Sequence, residues 1–219
     1  PGPERPARKT SEPAAAEPTR APLDKDAGLH FGPRRTPEDA YEGNFLAVMN
    51  LLAAWDDKQN ALGFAQRWQK ARPADVTALV ALGEALEANG RPELAARAYG
   101  SLIDLYPNRP EIRRLAAERL ERTGEVAGWL ALDAYSRAVE QRYDDPAGYR
   151  LYAYALLRAG YFAESWAALV DGLAWARVGP NARALERVLK GDLGLVAAAW
   201  IRRWPDQRAY VLEALRVEE

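Results

Sequence analysis

Residues that could carry enzymatic chemistry are scarce in this chain and poorly placed for it. Its one histidine, His30, sits in a proline-rich stretch with no partner, and a lone histidine builds neither a metal site nor a proton relay. It reads as a solvated side chain. The absence of cysteine excludes disulfides, thiolate-bound zinc and thiol catalysis. No glycine-rich loop of the Walker or dinucleotide type occurs, so there is no cradle for a phosphate. Two carboxylate pairs, Asp56 with Asp57 and Asp144 with Asp145, have the composition of an acid/base couple. Each falls at a helix boundary, however, where aspartate is favoured as a cap and turn former. The sequence therefore offers no catalytic residue, no metal ligand set and no cofactor site, and the chain reads as a non-enzyme.

The composition narrows the remaining classes. The 219 residues are 48% hydrophobic, enough for a substantial core. Lys and Arg total 30 against 31 for Asp and Glu, which leaves no long-range positive field to concentrate nucleic acid. The longest strongly apolar run, Leu193 to Ile201, falls far short of the ~20 residues that span a bilayer, so no membrane insertion is expected. A cysteine-free chain suits a reducing cytosol and an oxidising periplasm equally, and the compartment stays open. Residue 1 is Pro and no basic-then-apolar leader follows it, which reads as a segment of a longer or processed polypeptide.

These side chains must be positioned by helices. Up to about residue 35 the chain is rich in Pro, Ala and both signs of charge, with hardly any large apolar residue before Leu29 and Phe31. This is the composition of a disordered, stiffly extended linker. From there to residue 219, apolar stripes at helical spacing alternate with turn signals. Thr36 and Pro37 open the folded part, with Asp39 placed to bond back to the cap. A first helix buries Phe45, Val48, Met49 and Leu52 and breaks at Asp56 and Asp57. Its return helix carries Ala61, Phe64, Ala65 and Trp68 and stops before Pro73. Asp75 caps a helix with Leu79, Leu82, Gly83 and Leu86, which Asn89 and Gly90 close with a left-handed turn. Pro92 opens the next helix, lined by Ala95, Tyr99 and Leu102 and ended by Pro107. Gly83 and Ala95 are expected to let the two axes approach closely, with Tyr99 filling a wider gap nearby.

Beyond Pro110 the pattern continues with departures. Ala116, Ala117, Leu120 and Gly124 make a leading helix, but Tyr135 and Ala138 come about two residues late for the repeat, implying a longer turn from Glu125 to Trp129. Asp145 and Pro146 start the next pair, with Tyr149, Tyr152, Ala153 and Leu156, then Gly160, Phe162, Ser165 and Leu169. From Pro180 the unit shortens. Ala184, Leu185, Val188 and Leu189 form one helix, Gly191 breaks it, Leu195 to Trp204 form another, and Asp206 caps a last helix with Tyr210, Val211 and Leu215.

Gly90 and Gly124 lie 34 residues apart, as do Pro73 and Pro107, the period of stacked helix hairpins. In a frame starting at Val76, residues Leu79, Leu82, Gly83, Leu86, Ala95, Tyr99 and Pro107 take the characteristic places of the tetratricopeptide repeat, with Leu102 in place of the usual alanine. One period earlier, Phe45, Val48, Leu52, Ala61 and Pro73 fit, while Met49 replaces the glycine and Ala65 the aromatic. The chain thus resembles the tetratricopeptide family, well over residues 36–177 and loosely beyond. That resemblance implies an all-α, right-handed solenoid of stacked antiparallel hairpins, about four to five helix pairs with a C-terminal capping helix. The boundaries it suggests are 1–35 for the linker and 36–219 for the repeat domain. Within that domain the repeats fall near 42–75, 76–109, 110–145 and 146–179, followed by a degenerate unit at 180–205 and a cap at 206–219.

The resemblance also implies where a partner binds. The leading helices of this family line a concave groove, and the corresponding positions here are Leu46 and Asn50, then Val80, Glu84 and Glu87, then Arg114, Glu118 and Arg122, then Arg150, Tyr154 and Arg158. The surface would run from apolar and acidic to basic, its arginines able to hold a carboxylate or backbone carbonyl and Tyr154 offering a stacking face. The same charges can instead pair across neighbouring helices, Glu118 with Arg150 or Glu87 with Arg122. The carboxylate clamp that binds chaperone C-terminal tails is disfavoured: Asn50 matches it, but Leu46, Ala81, Glu111 and Leu115 stand where its other residues belong. Trp68, Trp166 and Trp200 fall at core spacing, whereas Trp55, Trp129, Trp175 and Trp204 fall near helix ends, where they lock hairpins or border an interface. The expected function is a protein–protein interaction module for a protein or peptide partner. Its alternative is a structural spacer or scaffold segment in a larger multidomain bacterial polypeptide, one that could sit at the envelope and pack on its neighbours.

Overall fold

The computed structural model describes residues 45–54, 56–179 and 182–218. All described residues lie within 36–219. The linker with His30, the cap at Thr36, Pro37 and Asp39, Trp55 and Pro180 lie outside the described residues.

Among the described residues the regular structure is entirely helical. The helices are α1 (Phe45–Ala53), α2 (Lys58–Ala71), α3 (Val76–Ala88), α4 (Pro92–Leu105), α5 (Pro110–Arg122), α6 (Gly128–Gln141), α7 (Pro146–Arg158), α8 (Phe162–Val178), α9 (Ala182–Arg203) and α10 (Arg208–Glu218). Each packs on the next in sequence, and α1 also packs on α3 and α7 on α9. That connectivity is a solenoid of stacked hairpins with α1, α3, α5, α7 and α9 as leading helices.

Helix starts follow the sequence chemistry closely. Asp57 accepts from the Asn60 N–H, Asp75 from the Thr77 and Ala78 N–H groups, and Asp145 from the Ala147 N–H. Both carboxylate pairs are thus helix starts. Pro92, Pro110 and Pro146 occupy first positions, where the missing N–H costs nothing. The leading helices α3 and α7 end in one motif. Gly90 adopts φ 68°, and the N–H groups of Gly90 and Arg91 donate to Glu87 and Leu86. Gly160, at φ 87°, repeats the motif with Leu157 and Leu156. Asn89 stays right-handed, and its amide bonds to Lys58 O and Ala85 O instead, tying α3 to the start of α2. After α5 the chain differs: Gly124 again has positive φ but leads into a 3₁₀ turn, Gly124–Val126. This is the longer turn expected from the late Tyr135.

Two large apolar clusters fill the stack. One runs from Val48 to Ala131 and includes Phe64, Trp68, Leu86, Tyr99 and Leu120. The other runs from Ala153 to Val196 and includes Leu156, Leu169, Leu173, Leu189 and Leu193. Between them lies a small cluster of Ala117, Ala134, Tyr135 and Ala155.

Several expectations need correction. Tyr99 does not fill a gap beside Gly83: a Cβ on Gly83 would lie 2.1 Å from Tyr99 Cε1, so the glycine makes room for the ring itself. Gly191 does not break a helix, because α9 runs unbroken through it. Leu189, Leu193, Val196, Ala197 and Trp200 keep one face of α9 buried on both sides of the glycine. Burial at that scale outweighs the ~1 kcal/mol propensity cost of a helical glycine. Asp206 caps nothing; it lies within a 3₁₀ turn, Pro205–Gln207, that precedes α10. Trp68 and Trp200 are core residues as expected, whereas Trp166 is only partly buried. Trp175 packs at a tilt against Tyr143 and Trp204 edge-on against Phe162, each near a helix end.

Candidate functional site

The leading helices bring Glu84 and Glu87 of α3, Arg114, Glu118 and Arg122 of α5, and Arg150, Tyr154 and Arg158 of α7 into one row of interactions. Arg122 reaches back to α3, its Nη2 2.5 Å from Glu84 Oε1 and 3.5 Å from Glu87 Oε1. Arg158 reaches back to α5 and grips Glu121 with Nε and Nη2, the latter at 2.7 Å. Arg150 reaches forward to α9, where Nε and Nη2 both donate to Asp192 and the Tyr154 hydroxyl donates to the same carboxylate at 2.6 Å. Arg114 binds Asp145, the cap of α7, at 2.6 Å. Each of these arginines therefore links its helix to a neighbouring leading helix or its cap. Arg119 adds an ion pair of the same kind to Glu84 and another to its own neighbour Glu118 on α5.

The predicted residues part company here. Arg122 with Glu87 is one of the two pairs the sequence suggested, although Glu84 is the nearer acid. Glu118 with Arg150 does not form: Glu118 pairs with Arg119 and Arg150 with Asp192. Val80 is buried in the core with Leu79, Leu102 and Ala116 and cannot face a groove. Leu46 is 68% exposed and Asn50 is exposed, both at the α1 end of the row. The acids Asp192 and Glu121 were missed. Asp192 is 4% exposed, and reading Gly191 as a helix break hid its place on a buried face. Its position on one helical face with Leu189 and Val196 was the available signal.

Burial disfavours the Arg122 cation, but its bond to Glu84 and the charges of Glu84 and Glu87 outweigh this and raise its pKa. The bond to Asp192 raises that of Arg150, and the bond to Glu121 raises that of Arg158. Burial, then Asp192, raises the Tyr154 phenol; burial pushes Tyr135 up to about 12. These five shifts all lead away from neutral pH. Arg150 also lies over the Tyr154 ring, 5.5 Å from its centroid. Among the described residues no group of His, Cys, Asp or Glu is arranged to hold a metal, and no helix is long and apolar enough to cross a membrane.

The helix order, the repeated turns and the inter-helix pairs define a helical-repeat solenoid. A tetratricopeptide repeat model matches residues 76–119, which span α3, α4 and most of α5. Those residues carry a tetratricopeptide repeat, and the described helices around them have the fold of a helical-repeat solenoid of that type, a fold of protein–protein interaction modules. Solved structures with the same fold include MamA 41-end from Desulfovibrio magneticus RS-1, 16% identical, covering 84% of this chain and 94% of that one with a TM-score of 0.52. A second crystal structure of MamA is 15% identical and covers 75% and 88%, with a TM-score of 0.50. No curated protein matches the sequence.

Proposed function

We propose that the chain is a non-catalytic module that holds a protein or peptide against the row of leading helices, with Arg122, Arg150 and Arg158 as donors and Tyr154 beside them. One observation supports this reading. These guanidiniums are immobilised by carboxylates, yet their side chains keep 44%, 47% and 55% of their exposure. A donor already held in place loses little conformational freedom when a partner's carboxylate or carbonyl arrives, and a guanidinium has N–H groups to spare after gripping one acid. Asn50 and Glu118 extend the surface, while Glu84, Glu87 and Arg114 hold its shape. The partner best suited is an extended segment carrying carboxylates.

Selection of displayed random peptides on the wild-type chain tests this, with counter-selection on Arg122→Gln/Arg150→Gln. Glutamine keeps a hydrogen bond to each acid, so far-UV circular dichroism should be unchanged. Acidic sequences that bind wild type and lose the double variant are the expected result; sequences that bind both equally would remove the row from the site. The spacer reading is supported by apolar side chains of α10, with Tyr210 67% and Val217 75% exposed. It requires these to become shielded in a longer polypeptide.

A further inference from the structure

The 3₁₀ turn after α5 changes the edge of the stack where the hairpins reverse. A cleft of about 620 Å³ lies there between the start of α6 and the end of α7, within the range of ~300–1,000 Å³ typical of ligand sites. Gly128, Ala131 and Ala155 line it with small side chains, and Trp129 and Tyr161 stand beside them. Trp129 is 78% and Tyr161 50% exposed. Large aromatic side chains left in water at an apolar cleft mark a surface that gains by being covered.

Charge narrows what covers it. Of the acids lining the cleft, Glu121 is neutralised by Arg158. Glu125 is exposed and forms no ion pair among the described residues. The rim therefore carries an uncompensated negative charge next to two aromatic faces.

We infer that this cleft docks an extended, proline-containing peptide bearing a lysine or arginine, with its proline rings on Trp129 and Tyr161 and its cation at Glu125. Proline segments hold their extended helix before binding and lose little entropy against aromatic side chains. The cation gains from the carboxylate and from the indole face together. The site adjoins the row proposed above and shares Arg158 with it, but neither Arg122 nor Arg150 lines it.

The test is fluorescence anisotropy on the full chain, using a short dye-labelled peptide of prolines and leucines with one central arginine, and its glutamate twin. The arginine peptide should bind at least ~10-fold more tightly than the twin, and Trp129→Ala should weaken it by a similar factor. Glu125→Lys should invert the preference between the peptides. Arg122→Gln/Arg150→Gln should leave it untouched, so failure of the row and failure of the cleft are separable. Should Trp129→Ala lose helicity, the rim variant Glu125→Lys decides alone. Equal binding of the two peptides, no binding up to about 1 mM, or indifference to Glu125→Lys overturns the inference. So does a wild-type dimer in sedimentation that Trp129→Ala turns monomeric with no peptide bound, which would assign the cleft to a second copy.

Discussion

Replacing Gly83 with alanine isolates the contact on which the α3–α4 hairpin closes. Alanine in the middle of a helix gains about 0.5–1 kcal/mol over glycine from backbone entropy and propensity. At this position the new methyl would lie 2.1 Å from Tyr99 Cε1, 2.3 Å from Cζ and 2.7 Å from Cδ1. Tyr99 is fully buried at 0% exposure, so its ring cannot swing aside without opening the core. Overpacking of this kind costs about 1–3 kcal/mol, and the net expectation is destabilisation of up to about 2.5 kcal/mol. Gly191 is the control, because a Cβ there meets nothing within 4 Å and the residue lies on the exposed face of its helix. Gly191→Ala should therefore stabilise by about 0.5–1 kcal/mol. Urea unfolding followed by circular dichroism reads both as opposite shifts of midpoint. Adding Tyr99→Leu to Gly83→Ala should cost less than the two single losses together. A Gly83→Ala chain as stable as Gly191→Ala would refute the close-approach argument outright.

Asp75→Ala should cost about 1 kcal/mol at neutral pH by removing the α3 cap. The bond from the Thr77 hydroxyl outweighs the opposing effect of burial and, with the weaker backbone N–H bonds, holds the Asp75 carboxyl below its usual 3.8. Its contribution is therefore full above that value and lost as pH falls through the lower folded one, so the wild-type advantage should vanish in acid unfolding curves. Arg150→Ala leaves Asp192 buried with only the Tyr154 hydroxyl; because Arg150 is half exposed, a loss of about 1–3 kcal/mol is expected, below that for a fully buried pair. Tyr154→Phe should cost about 1–2 kcal/mol on the same unfolding assay.

Hairpins were legible wherever the chain marks both ends of a helix with distinct chemistry. Asp75, Gly90, Pro92 and Pro107 each have one conformational preference, and the repeat places them where the preferences agree. Gly191 misled because a weak local preference was weighed without the buried face that overrides it. The ion pairs were less legible for a different reason. Arg114–Asp145, Arg158–Glu121, Arg122–Glu84 and Arg150–Asp192 are separated by 31, 37, 38 and 42 residues. No fixed stride predicts them, because each separation depends on local turn length and on how successive helices stack. The cleft beside Trp129 was visible only as a delay in the repeat, whose spatial consequence needs the 3₁₀ turn.

Division of the apolar interior into two large clusters bridged by Ala117, Ala134, Tyr135 and Ala155 sets where the molecule comes apart. In a linear array, stability adds up from units and the joints between them, and the thinnest joint parts first. Denaturant should split this stack between α6 and α7, leaving two halves that exchange amide protons at different rates.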